Sequence, residues 1–160
     1  MGSAPAGGRV LIDGSNVQHA LARAGSARSG GGAPLPTVAL IARLRAAFSP
    51  PTEVELILDG HAGGGPSGKI APGFSVSYSR HATADEVIGD RVAEALVALG
   101  PAGAWSVIVV TDDREVRDHA RRNGARVEGT AWLADRLGAP AGRPVRDGST
   151  IGQGRRLRSR

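Results

Sequence analysis

The chain has 160 residues, 41% hydrophobic but only 3% aromatic, which suits one domain whose core is Val, Leu, Ile and Ala. It contains no cysteine, which excludes disulfides and thiolate metal sites and gives no sign of an oxidising compartment. The formal net charge of +5 sits in residues 143–160, where six Arg face Asp147 alone; residues 1–142 are balanced, so the body is not globally basic.

Residues 1–8 are small and unpatterned and read as a disordered lead-in without the features of a signal peptide. No apolar run approaches the roughly 18 residues of a membrane span, so the expected location is cytoplasmic. Val10-Leu11-Ile12 then runs straight into Asp13-Gly14-Ser15-Asn16, the pattern of a strand buried on both faces that delivers a carboxylate to the sheet rim. Val17 to Ala24 predicts a short helix, broken by Gly25-Ser26 and by the mobile loop Ser29-Gly30-Gly31-Gly32. Pro36-Thr37 opens a second helix with Val38, Leu40, Ile41, Leu44 and Phe48 at helical spacing, stopped by Pro50-Pro51.

Residues 53–58 repeat the first design and end in Asp59-Gly60-His61, followed by a flexible stretch from Ala62 to Gly68. Phe74-Ser75-Val76-Ser77-Tyr78 alternates and predicts a strand at the sheet edge. Thr83-Ala84-Asp85-Glu86 fits a capping box opening a long helix that Gly100-Pro101 ends. Residues 106–110 form the most apolar strand, expected to be central, and run into Thr111-Asp112-Asp113. A short helix to Asn123 with Gly124 at its C-cap, a last strand at 125–127 and a last helix from Thr130 to Leu137 complete the pattern. The expected domain is residues 9–137, and 138–160 reads as a basic disordered tail. Alternating strands and helices imply an α/β three-layer sandwich around a mainly parallel sheet.

Three strands that end in acid, plus Asp85 in a first helical turn on the same side, point to an acidic rim. Carboxylates crowded together repel, and one must take up a proton unless a cation is present. Mg²⁺ or Mn²⁺ favours such hard oxygen ligands, and the implied chemistry is metal-assisted phosphodiester hydrolysis. Each residue also has a plainer reading. Asp85 suits a helix N-terminus, Asp112 and Asp113 an N-cap pair, Asp59-Gly60 a turn, and Asn16 a cap. His61 and His81 read as polar loop residues, His19 and His119 as helix-surface residues, and Trp105 and Trp132 as sheet-packing residues. The segment Gly63 to Lys69 lacks the G-x-x-x-x-G-K-[ST] form of a phosphate loop because Ile70 follows Lys69.

In this order, Leu11-Ile12-Asp13-Gly14-Ser15-Asn16, Leu58-Asp59-Gly60-His61, Thr83-Ala84-Asp85-Glu86-Val87-Ile88 and Val109-Val110-Thr111-Asp112-Asp113 resemble the NYN domain, a PIN-like nuclease fold, in its YacP-like branch. The resemblance spans about residues 9–137. Position 15 is Ser where that pattern often has Tyr, and Asp112 is an acid where a small polar residue is usual. The resemblance implies a metal-dependent endoribonuclease acting on single-stranded RNA, with Mg²⁺ or Mn²⁺ as cofactor and Asp13, Asp85 and Asp113 as catalytic metal ligands. Asp59 and Asp112 would be auxiliary ligands, and Asn16 and Thr111 would support the site. Lys69, Arg114, Arg117, Arg121, Arg155 and Arg156 are the cations expected to meet RNA. The alternative class is a non-catalytic RNA-binding or ribosome-associated adaptor of the same fold. A phosphatase with an Asp nucleophile would want a second Asp where Ser15 stands.

Overall fold

The computed structural model describes residues 7–29 and 35–138. The expected tail, with Arg155 and Arg156, the glycines 30–32 and most of the lead-in lie outside the described residues. In chain order the elements are β1 (Arg9–Asp13), α1 (Gly14–Ser29), α2 (Thr37–Ala47), β2 (Glu53–Leu58), β3 (Gly68–Ala71), β4 (Phe74–Tyr78), α3 (Ala84–Trp105), β5 (Val107–Val110), α4 (Arg114–Arg122), β6 (Arg126–Glu128) and α5 (Thr130–Gly138).

The six strands form one sheet in the order β3-β4-β2-β1-β5-β6. Every pairing is parallel except β3 with β4. β1 lies between β2 and β5, and the three are almost wholly buried and apolar, apart from the end residues of β1 and from Glu53 and Glu55 in β2, because both faces of the sheet are covered. Side chains alternate across the strands. Val10, Ile12, Leu56, Leu58, Ile108 and Val110 pack with Val17 of α1, Leu40 and Leu44 of α2 and Leu133 of α5. Leu11, Ile57, Val107 and Val109 face the other way, onto Ala84, Ile88 and Val92 of α3 and Val116 and Ala120 of α4. Each fully buried aliphatic side chain contributes about 1.5–3 kcal/mol before entropy is subtracted.

This alternation positions the site. Asp13 follows Leu11 by two residues, Asp59 follows Ile57 and Thr111 follows Val109, so all three continue the face that carries α3 and α4. Register sets their heights: Ile12 stands opposite Val110, which brings Thr111 beside Asp13, whereas Asp13 stands opposite Ile57, so Asp59 lies two residues further out on the same rim. Gly14 lets the chain turn there, because a Cβ would fall 2.5 Å from Leu58 Cδ2 and 2.8 Å from the Ile57 carbonyl oxygen.

Three sequence expectations change. α1 continues through Gly25-Ser26 to Ser29, since the Ala-rich turns around Gly25 offset the ~1 kcal/mol helix penalty of one glycine. The long helical run does stop at Gly100-Pro101 as expected: Gly100 takes the non-helical φ 69°, and Pro101 starts a separate short helical stretch, included in α3, that reaches Trp105. β4 is not the edge, because β3 grows out of the Gly-rich stretch and covers it. β5 is interior, but the middle of the sheet is β2 and β1. Among the described residues no helix is long and apolar enough to cross a membrane.

Candidate active site

Asp13 ends β1 and is only 5% exposed. Its Oδ1 accepts the Asn16 N–H at 3.2 Å, and its Oδ2 accepts the Thr111 hydroxyl at 3.0 Å. The Thr111 oxygen accepts in turn from the Asp113 N–H at 3.1 Å, and Asn16 Oδ1 accepts from the Asp112 N–H at 2.9 Å. The β1–α1 and β5–α4 turns are therefore tied by a closed set of hydrogen bonds. Asn16 and Thr111 hold Asp13 and the turn bearing Asp113 in one orientation.

Asp113 caps α4, its Oδ1 accepting from the Glu115 N–H at 2.8 Å and the Val116 N–H at 3.3 Å. Asp59 Oδ1 accepts from the Ala84 N–H at 3.1 Å, so a residue at the end of β2 helps cap α3. Thr83 and Glu86 complete that helix start as the capping box read from the sequence. Asp85 is half-buried in the first turn of α3, and among the described residues its carboxylate makes no hydrogen bond or ion pair. The plain reading therefore holds for Asp113 and Asp59, which cap helices with one oxygen each and, among the described residues, leave the other oxygen without a hydrogen bond.

The acids feel one another. Burial pushes the Asp13 carboxyl above its ordinary value; the Asn16 and Thr111 bonds pull it back, and the charges of Asp59 and Asp113 raise it again. Burial also raises Asp85, followed by the charges of Asp113, Asp13, Asp59 and Glu115. None of Asp13, Asp59, Asp85 and Asp113 has a salt bridge to Lys, Arg or His among the described residues. Hard oxygen donors that disfavour one another's charge, without a protein cation to relieve them, fit a divalent ion. As they stand, no three His, Asp or Glu side chains among the described residues form a closed ligand set, so ion binding would require the carboxylates to draw together.

The structure separates other predicted residues from this group. The Asp112 carboxylate accepts from the Thr130 N–H at 2.9 Å and from the Thr130 hydroxyl, capping α5. Burial raises Asp112, but the two Thr130 bonds and the charges of Arg117 and Arg23 outweigh it, leaving the carboxyl below its ordinary value. Lys69 is exposed on β3 opposite Ser75, which pairs with Glu55, so it stands two residues short of the Asp13 level. β3 is three strand spacings from β1, about 14 Å away. Arg114 is exposed at the start of α4, whereas Arg117 lies toward Asp112.

Sequence reasoning missed two acids. Glu115, next to Arg114, adds to the charge on Asp85; its place in the first turn after Asp113 was the available signal. Glu55 lies in mid-strand, 3% exposed, where it accepts from Ser77 at 2.7 Å and pairs with Arg9 at 2.7 Å and Arg91 at 3.2 Å. A charge within Val-Glu-Leu-Ile-Leu signals a buried partner, but not which one.

The loops after β2 and β4 are also stitched together. Ser79 N–H donates to Leu58 O at 2.9 Å, Arg80 N–H to Gly60 O at 2.8 Å, and Gly60 N–H to Ser79 Oγ at 3.1 Å. Arg80 has φ 57°, a conformation costly for a residue with a side chain and kept here by those bonds. The His61 and His81 rings are brought edge to face at 5.4 Å.

Residues 10–140 match the family described as the YacP-like NYN domain. The chain belongs to this family. YacP-like NYN domains form a PIN-like nuclease family, which supports an RNA-related nuclease function. The crystal structure of Rae1 (YacP) from Bacillus subtilis, solved as a mutant, matches with a TM-score of 0.54 and 18% identity, over 81% of this chain and 73% of that one. That likeness supports the same three-layer fold. No curated protein matches the sequence.

Proposed function

We propose that the protein is a metal-dependent endoribonuclease that hydrolyses phosphodiester bonds of single-stranded RNA. The observation that carries this proposal is the gathering of Asp13, Asp59, Asp85 and Asp113 at one rim, where burial and then neighbouring carboxylates raise Asp13 and Asp85 and none of the four has a salt bridge to Lys, Arg or His among the described residues. Asp13, Asp85 and Asp113 are the residues that would hold Mg²⁺ or Mn²⁺, with Asp59 beside them. A bound ion of this kind supplies an activated water and charge stabilisation at phosphorus. The chain itself contributes orientation: Thr111 and Asn16 fix both oxygens of Asp13, and Asp59 and Asp113 are anchored through one oxygen each. Arg114, exposed one residue beyond Asp113, would be the cation that meets the substrate's phosphates at the start of α4.

The test incubates single-stranded RNA with the protein in Mn²⁺ or Mg²⁺, in EDTA, and with Asp13→Asn. Internal cleavage that needs the metal and disappears in the variant supports the proposal. Tight binding that leaves the RNA intact under all conditions overturns it in favour of the adaptor.

A further inference from the structure

A groove of about 1120 Å³ opens beside Asp85 and runs between α3 and α4. Its described lining carries five carboxylates, including Asp85, Asp90 and Asp118, against the single guanidinium of Arg122. A phosphate chain could not follow such walls without strong repulsion. The same lining includes the imidazoles of His81 and His119. Gly89, buried in the second turn of α3, makes room for the second ring: a Cβ there would lie 2.9 Å from His119 Nε2. The groove thus offers flat rings and hydrogen-bond acceptors, begins at a proposed metal ligand and discourages phosphate.

We infer that this groove is a nucleobase subsite, taking the base of a nucleotide next to the scissile phosphate and preferring bases with an exocyclic amine. It rests on the proposal that the substrate is single-stranded RNA. His81 and His119 supply surfaces for stacking, which is how unpaired bases are commonly held. The carboxylates of Asp90 and Asp118, the latter 3.9 Å from the Arg121 guanidinium, offer hydrogen-bond acceptors. The amine of cytosine or adenine satisfies them, whereas uracil presents a carbonyl oxygen at the position of the cytosine amine. His61, edge to face with His81, steadies that ring from outside the groove.

The experiment measures equilibrium binding of fluorescent oligocytidylate and oligouridylate of equal length in the Asp13→Asn background, where cleavage is blocked. Oligocytidylate should bind more tightly by roughly tenfold, the discrimination expected of one good amine–carboxylate pair. Asp90→Ala with Asp118→Ala should erase the ratio, even if removing negative charge strengthens binding of both oligomers. Gly89→Ala removes a poor helix former, so helix propensity rises as the His119 ring is displaced. It should weaken both oligomers by several-fold or more, with circular dichroism confirming the helix content. Equal affinity for the two oligomers, or a ratio and affinities indifferent to these substitutions, overturns the subsite while leaving the nuclease intact. Failure to bind any RNA overturns both.

Discussion

Thr111 Oγ stands between two acids, donating to Asp13 Oδ2 at 3.0 Å and accepting from the Asp113 N–H at 3.1 Å. One fully buried hydroxyl thus sets the spacing between the carboxylate from β1 and the turn after β5, residues 98 apart in sequence. Thr111→Val keeps the shape and the branched Cβ but removes both bonds. Stability should fall by about 1–3 kcal/mol, the range for a buried group left without its partner. Metal affinity and RNA cleavage should fall by roughly 10–100-fold, as when an outer support of a metal ligand is lost. Urea unfolding and Mn²⁺ titration of the same variant separate the two effects. An unaltered Mn²⁺ affinity would remove Thr111 from the site.

Asp13 carries opposite consequences for stability and activity. Its folded-state pKa is raised above the ordinary 3.8, chiefly by burial. Its contribution to stability is therefore fully present below the unfolded value and is lost as pH rises through the folded value. Without divalent ions, Asp13→Asn should unfold at a higher temperature than the parent protein at neutral pH, and the gap should close on acidification. Adding Mn²⁺ should stabilise the parent and not the variant, while cleavage should fall by more than ~100-fold, beyond the loss of an outer support. Melting curves in EDTA and in Mn²⁺ across pH check this. A variant less stable than the parent in EDTA would show that the cost of burying the Asp13 charge is not what limits the fold.

The parts of this site legible in the sequence are those governed by local rules. Val10-Leu11-Ile12 and Val107 to Val110 announce strands covered on both faces, and the acids at their ends follow. The capping box at Thr83 is a four-residue pattern and forms as written. Partnership across the sheet was not legible. Asp112 and Asp113 are adjacent acids after one strand, and only the tertiary fold sends the first to Thr130 and leaves the second beside Asp13 and Asp85. Lys69 looked like a substrate-side cation because the loop before it is rich in glycine; β3 instead carries it along the sheet edge. The α3/α4 groove needs two helices from distant segments, and no local pattern announces it.

That division between neighbouring acids is testable. Asp112 is spent on the N-terminus of α5, so Asp112→Ala should cost ~1 kcal/mol, the usual loss for a helix cap, with Mn²⁺ affinity nearly intact. Asp113→Ala should lose a cap of similar value at α4 and also most of the metal-dependent cleavage. The two variants form a matched pair, alike in stability and unlike in Mn²⁺ binding. Equal loss of Mn²⁺ affinity in both would restore Asp112 as a ligand.

Glu55 anchors α3 from below, and its titration runs in the opposite sense to that of Asp13. Burial alone would raise it, but the Ser77 hydroxyl and the charges of Arg91 and Arg9 more than reverse this, holding the carboxyl below its ordinary value. A depressed carboxylate contributes stability above the unfolded value, near 4.5, and loses it as pH falls through the lower folded value. Both arginines are about a third exposed, which discounts the pair from the ~3–5 kcal/mol of a fully buried one. Glu55→Gln should therefore cost about 2 kcal/mol at neutral pH, with the penalty shrinking as the parent protein is acidified below its folded value. Arg91 sits six residues beyond Asp85 on the same helix, so loosening α3 should weaken Mn²⁺ binding less than Thr111→Val does, because the Asp13 bonds survive. Urea unfolding at neutral and acid pH, paired with Mn²⁺ titration, measures both. A penalty that stays constant across the acid range would mean that Glu55 is held by packing and not by its ionised carboxylate.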